Sequence, residues 1–145
     1  SQPGIAVENS RQVSAFNYPA EYGPRSPSFC RAMVTPDQRL SLVSGTASVV
    51  GHETAHEKDV LQQLNETLIN LSVVAASSGH LQPQALRVYL RNKSDLAVVT
   101  SRLRSEFNSL PMVFIHADIC RENLLLEIEM ITLNVLRNCI EVHYD

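Results

Sequence analysis

The stretch from Asp59 to Ala76 does most to limit what this chain can fold into. Leu61, Leu64, Leu68, Leu71 and Ala75 recur at spacings of three and four, which draws one apolar stripe along a helix. Ser77-Ser78-Gly79 terminates it. Such a helix has to lay its stripe on another element, and the flanking sequence supplies strands. Ser28 to Val34 is a short β-like run closed by Thr35-Pro36-Asp37-Gln38, a tight turn. Arg39 to Val50 returns as the second strand of a hairpin and stops at Gly51. Further on, Leu86 to Leu90 alternates as a strand. Ser94 or Asp95 caps a second helix whose buried side is Leu96, Val99, Leu103 and Phe107, and Pro111 breaks it. Met112 to Ala117 and Leu124 to Leu133 complete the set of strands. The order β-β-α-β-α-β-β predicts an α+β fold, a single sheet with two helices packed on one face.

At 145 residues and 44% hydrophobic, the chain is long enough for one domain with its own core. No apolar run approaches the ~18 residues of a membrane span, and the N-terminus lacks a basic-then-apolar signal pattern. A formal charge of −3 gives no basic face for nucleic acid. The expectation is a soluble cytoplasmic domain with neither membrane nor nucleic-acid partners. Cys30, Cys120 and Cys139 are odd in number, so a disulfide framework is not expected. Residues 1–17 show no period and carry Pro3-Gly4, as a linker or expression-derived segment would. That leaves a domain over 18–133 and a C-terminal extension over 134–145. Val135, Leu136, Ile140 and Val142 in the extension have no assigned place.

Several groups carry possible chemistry. His52-Glu53-Thr54-Ala55-His56 has the H-E-x-x-H spacing that puts two zinc ligands on one helix face. It follows a strand and Gly51, however, and no third ligand stands at a useful distance, so a polar helix start is the simpler assignment and no metal is expected. Glu127 and Glu129 share one face of the last strand. They are either a solvated pair or a pair in which one carboxyl sits among apolar neighbours and holds its proton at neutral pH. Arg25 and Arg31 are planar forks suited to carboxylates. Cys120 is a buried thiol or a nucleophile, without a histidine adjacent in sequence. Ser44-Gly45-Thr46-Ala47-Ser48 brings small side chains to a strand end, where a ligand can approach closely or a bulge can form.

Three segments together resemble the C-terminal half of a chorismatase: Tyr22-Gly23-Pro24-Arg25-Ser26-Pro27-Ser28-Phe29, Ser44-Gly45-Thr46-Ala47-Ser48-Val49-Val50-Gly51-His52, and Asp118 to Glu129 with its C-R-x-x-L-L-x-E-x-E pattern. The resemblance covers roughly Ser14 to Leu133. It implies the RidA/YjgF (chorismate-mutase-like) fold, usually trimeric with ligand pockets between subunits. It further implies an enzyme of hydroxybenzoate biosynthesis that needs no metal or organic cofactor and releases pyruvate from chorismate. In that family the residue matching Glu127 is the acid that protonates the substrate, and the residue matching Cys120 lines the pocket and helps decide the product. Tyr22, Arg25, Arg31, Gly45, Ala47 and Arg121 are then expected to contact substrate, and His52 to lie near the pocket. Arg121 is alternatively a partner for Asp118. Chorismatases carry a further N-terminal domain, so that domain of the same polypeptide is the implied partner, in a homotrimer or pseudo-trimer. A stand-alone trimer that binds small carboxylates without turnover is the alternative. Deaminases of this fold have an arginine after a proline at the penultimate strand. Pro111-Met112-Val113-Phe114 has none, and imine deamination is not expected.

Overall fold

The structure, a computed structural model, describes residues 2–79 and 82–134. Cys139 and the extension from 135 onward lie outside the described residues. Among the described residues, eight strands and two α-helices follow one another as β1 (Ile5–Val7), β2 (Ala32–Val34), β3 (Leu40–Thr46), β4 (Val49–Val50), β5 (Glu53–Thr54), α1 (Val60–Ser77), β6 (Gln82–Leu90), α2 (Leu96–Glu106), β7 (Met112–His116) and β8 (Leu126–Leu133). Six strands form one sheet in the order β1-β2-β3-β8-β6-β7, and β4 pairs with β5 in a small separate hairpin.

Chain topology explains why both helices share a face. β8 runs antiparallel to both β3 and β6, so β3 and β6 are parallel to each other; β6 and β7 pair in parallel directly. Each parallel step needs a crossover, and both crossovers move toward the same edge of the sheet. With the usual right-handed connection, α1 and α2 land on the same side. Leu64, Leu68, Leu71 and Val74 of α1 and Val99 and Leu103 of α2 meet Val43, Val88, Leu126, Ile128 and Met130 there in one core. No helix among the described residues is long and apolar enough to cross a membrane.

The predicted elements need four corrections. The segment expected as a linker or expression-derived stretch carries regular structure over its described residues: Ile5–Val7 pairs with Ala32–Val34, and Ala15 is fully buried. A three-residue edge strand is too short to show a period. Arg39 to Val50 is not one strand, because the β3–β8 register slips between Val43 and Thr46 and the chain then turns into the β4–β5 hairpin. The run from Ser28 is regular only from Ala32. Leu61 and Leu96, counted in the apolar stripes, sit in the first turns of their helices and remain exposed. The stripe of α1 is instead flanked by a buried polar row, Gln63, Thr67 and Asn70, at the same helical spacing.

Candidate active site

Side chains alternate along β8, so burial of Leu126, Ile128 and Met130 turns Glu127 and Glu129 to the opposite face. Glu127 enters a cavity of about 530 Å³ formed where the end of β3 meets the loop before β2 and the loop before β8. The bulge in β3 places Gly45 directly beneath it. A β-carbon on Gly45 would overlap Glu127 Oε1 and stand 2.7 Å from Cδ, so the carboxyl occupies the space that only a glycine leaves. Burial pushes the Glu127 pKa up, and the Glu129 carboxylate on the same face adds to the rise. Glu129 is held differently: Tyr89 Oη and Arg87 Nη1 each donate to it at 3.1 Å.

Two arginines line the same cavity as this acid. Arg31 is only 6% exposed; its Nη2 donates to Val13 O at 2.8 Å and Tyr18 Oη at 2.7 Å, and its guanidinium lies against Phe29 and Tyr18. Its buried Nε has no hydrogen-bond partner, the nearest charge being Glu8 at 4.0 Å. Arg31 thus brings a buried, anchored cation to the lining of the cavity. Arg121 stacks 4.0 Å above the Tyr22 ring and 5.5 Å from that of Tyr18. Tyr22 is in turn fixed by His52, whose Nδ1 is 3.2 Å from Tyr22 Oη.

The fold thus collects Tyr22, Arg31, Gly45, Ala47, Cys120, Arg121 and Glu127 around one cavity. Arg25 does not join them; it stays exposed, and the Pro-flanked turn that carries it leaves it in solvent. Asp118 pairs with Arg91 at 3.2 Å rather than with Arg121. The H-E-x-x-H residues are not on a helix: Glu53–Thr54 is extended, and α1 begins only at Val60. His52 turns to Tyr22 while His56 pairs with Glu66, and no three such side chains cluster as a metal site among the described residues. Cys120 is exposed as a residue. Burial of its thiol and then the Glu127 carboxylate push its pKa up, which favours the unreactive protonated form.

Sequence reasoning missed Tyr18 and gave Phe29 no part in the lining. The two aromatics flank the Tyr22–Pro27 segment, and their proximity to Arg31 was the available signal. It also missed the support beneath the site. Asn70, fully buried on α1, donates to Ala47 O at 2.9 Å and Val49 O at 3.0 Å. Its Oδ1 accepts from Asn9 Nδ2 and Arg11 Nη1, and Arg11 also pairs with Glu66. Gln63 plays the same part for the other wall, donating to Asn123 O and accepting from Leu125 N, both at 2.8 Å. A polar residue recurring on the buried side of a helix was the signal for both.

The sheet, the paired helices and their connections are those of the RidA/YjgF fold. Yeast Mmf1 superposes with a TM-score of 0.73 over 90% of this chain and 98% of its own, at 16% identity. A Rid-family protein from Yersinia pestis gives 0.73 over 90% and 99%, at 14% identity. Within that fold the chain is similar in sequence to part of the chorismatases. It is 38% identical to a 3-hydroxybenzoate synthase of Streptomyces hygroscopicus over 143 residues, covering 86% of this chain and 42% of that protein. A chorismatase of the same organism is 36% identical, covering 86% and 40%. A chorismatase crystal structure superposes with a TM-score of 0.83 at 31% identity, over 91% of this chain and 44% of that one. The chain therefore spans less than half the length of the curated relatives it matches. No protein-family model matches it.

Proposed function

We propose that this chain carries the acid and one wall of the active site of a chorismatase, an enzyme that converts chorismate to pyruvate and a hydroxybenzoate or dihydroxycyclohexadiene carboxylic acid. The observation that carries the proposal is Glu127, a carboxyl with a raised pKa set against Gly45 in a cavity that also holds two arginines. Chorismate is a dicarboxylate with an enolpyruvyl ether. Arg31, anchored in the lining, and Arg121, on its tyrosine platform, supply cations for the carboxylates. Glu127 gives its proton to the terminal methylene of the enol ether. Positive charge then develops on the ether carbon, water adds there, and collapse of the hemiketal breaks the bond to the ring oxygen. Pyruvate leaves, the hemiketal hydroxyl proton passes to the ring oxygen, which stays on the ring as a hydroxyl, and the proton released by the water restores Glu127. This step yields the dihydroxycyclohexadiene acid, and a hydroxybenzoate requires the loss of one further water from that ring. This chemistry asks for a neutral carboxylic acid at neutral pH, which the burial of Glu127 favours.

The region missing relative to the relatives is proposed to complete the pocket as the N-terminal domain of the same polypeptide, in a trimer-like arrangement. Support comes from the outer face of the sheet, where Met33, Leu42, Ile131 and Val113 are 39%, 49%, 41% and 59% exposed. The test is to give chorismate to the full-length parent protein, wild type and Glu127→Gln, and to follow pyruvate. Release by the wild type alone supports both the reaction and the acid. No release from a folded parent overturns the proposal and favours a carboxylate-binding protein without turnover.

A further inference from the structure

We propose that Arg91, which lies outside the cavity, is the positioning residue that fixes the Cys120–Arg121 wall of the site. The proposal rests on the functional reading of that cavity. Arg91 is the first residue after β6, and its side chain is 20% exposed. Its Nε donates to Leu124 O at 2.8 Å, and its Nη2 donates to Ile119 O at 3.0 Å and Arg121 O at 2.9 Å. Two of these carbonyls bracket Cys120, and the third lies two residues before β8 brings Leu126 into the sheet. The backbone N–H of Arg91 also donates to Leu125 O at 3.0 Å. One side chain therefore threads the whole turn between β7 and β8.

That turn has little regular structure of its own, yet it presents Cys120, Arg121 and Leu124 to the cavity. A guanidinium suits the task because its planar fork holds several donors at fixed angles, and it keeps its charge at any working pH. A lysine ammonium cannot reach three carbonyls spread over six residues from one point. Gln63 pins the far end of the turn through Asn123 O and Leu125 N, so Arg91 sets the near end, where the Arg121 side chain departs toward Tyr22. The pair of supports holds Arg121 in place before any carboxylate arrives, which lowers the ordering cost of binding. The Asp118 carboxylate on Arg91 is fully exposed and contributes little to this.

Arg91→Lys and Arg91→Gln are compared with Asp118→Asn in two assays. The first measures the rate at which iodoacetamide labels Cys120, with Cys30→Ser and Cys139→Ser removing the other thiols. The second measures KM and kcat for chorismate in the full-length parent. Expected for both Arg91 variants is labelling accelerated about tenfold and KM raised about tenfold, each equivalent to roughly one charge-assisted hydrogen bond. kcat should stay within about threefold, because a binding group is displaced rather than the acid. Asp118→Asn behaves as wild type. Unchanged labelling and KM in Arg91→Lys overturn the proposal. If both Arg91 variants fail to fold, the wild type decides: a slowly exchanging Arg91 Nε–H by NMR supports the clamp, and a rapidly exchanging one overturns it. A parent that releases no pyruvate overturns the function, while Cys120 labelling still judges Arg91 independently.

Discussion

Gly45→Ala isolates the placement of the acid from its presence. The three atoms nearest the new methyl group all belong to the Glu127 side chain: Oε1, Cδ at 2.7 Å and Cγ at 3.2 Å. Ordinary carbon contacts lie near ~3.5–4.0 Å, so the carboxyl carbon must retreat by about 1 Å. The backbone accepts alanine at this strand position, and replacing a glycine there is worth about 0.5–1 kcal/mol in favour of folding. The fold should therefore survive while the acid shifts. A misplacement of about 1 Å at a reacting group costs on the order of 100-fold, which corresponds to about 2.7 kcal/mol in the barrier. The assay is pyruvate release from chorismate by the full-length parent, coupled to lactate dehydrogenase, with thermal unfolding measured alongside. The loss should fall on kcat, since the proton moves only in the transition state. Adding Gly45→Ala to Glu127→Gln should cost nothing further, because both act through one group. A kcat within threefold of wild type, with an unchanged melting temperature, would refute the proposed role of Gly45.

Glu129→Gln removes a like charge that helps raise the Glu127 pKa. The Glu127 carboxyl should then ionise at lower pH, and the alkaline fall in kcat should move to lower pH, as read from a pH–rate profile. Glu127→Gln should stabilise the protein only above the ordinary glutamate range. There the native state holds a proton that the unfolded state has released, so wild-type stability falls as pH rises to the elevated pKa and the variant is spared that fall. Urea unfolding of this chain at several pH values checks it, and a gain that shrinks with rising pH contradicts it. Asn70→Leu removes four hydrogen bonds at a fully buried position, and should destabilise by about 3 kcal/mol or more in urea. Arg31→Lys keeps the charge but loses the fork to Val13 and Tyr18, and should raise KM for chorismate at least tenfold with the fold intact.

What was legible in the sequence was whatever repeats. The α1 stripe and the alternation of Leu126, Ile128 and Met130 with Glu127 and Glu129 are periodic, so they gave both helices, the central strands and the face on which the two carboxylates stand. Features set by a single contact were hidden. The three-residue β1 exists because Ala32–Val34 offers it an edge, and the break after Thr46 follows from the β3–β8 register slip, which depends on a partner strand far along the chain, Thr46 pairing with Ile128. The site divides the same way. Glu127, Gly45 and Cys120, which share one cavity, were singled out through motifs, but motifs do not say which arginine is buried. Arg25 and Arg31 look alike in sequence; the fold buries Arg31 against Tyr18 and Phe29 and leaves Arg25 in water.

The polar row on α1 shows why the support beneath a site is harder to read than the site itself. Gln63, Thr67 and Asn70 occupy positions that a purely structural helix would fill with apolar residues. Burying their amides is unfavourable unless nearly every donor and acceptor is met. Here Asn70 meets Ala47 and Val49, which line the cavity, and Gln63 meets Asn123 and Leu125, which flank the lining residue Leu124. Hydrophobic packing alone would tolerate small shifts of either segment. Directed hydrogen bonds from one rigid helix do not, so the helix fixes both segments as well as the core. The arrangement explains why a chain with an ordinary apolar content places fully buried amides on its longest helix. It also predicts an asymmetry between the two faces of that helix: Leu68→Met on the apolar side should be nearly silent in chorismate turnover, whereas Gln63→Met, similar in volume, should raise KM. Equal effects from the two substitutions would mean that α1 serves the core alone.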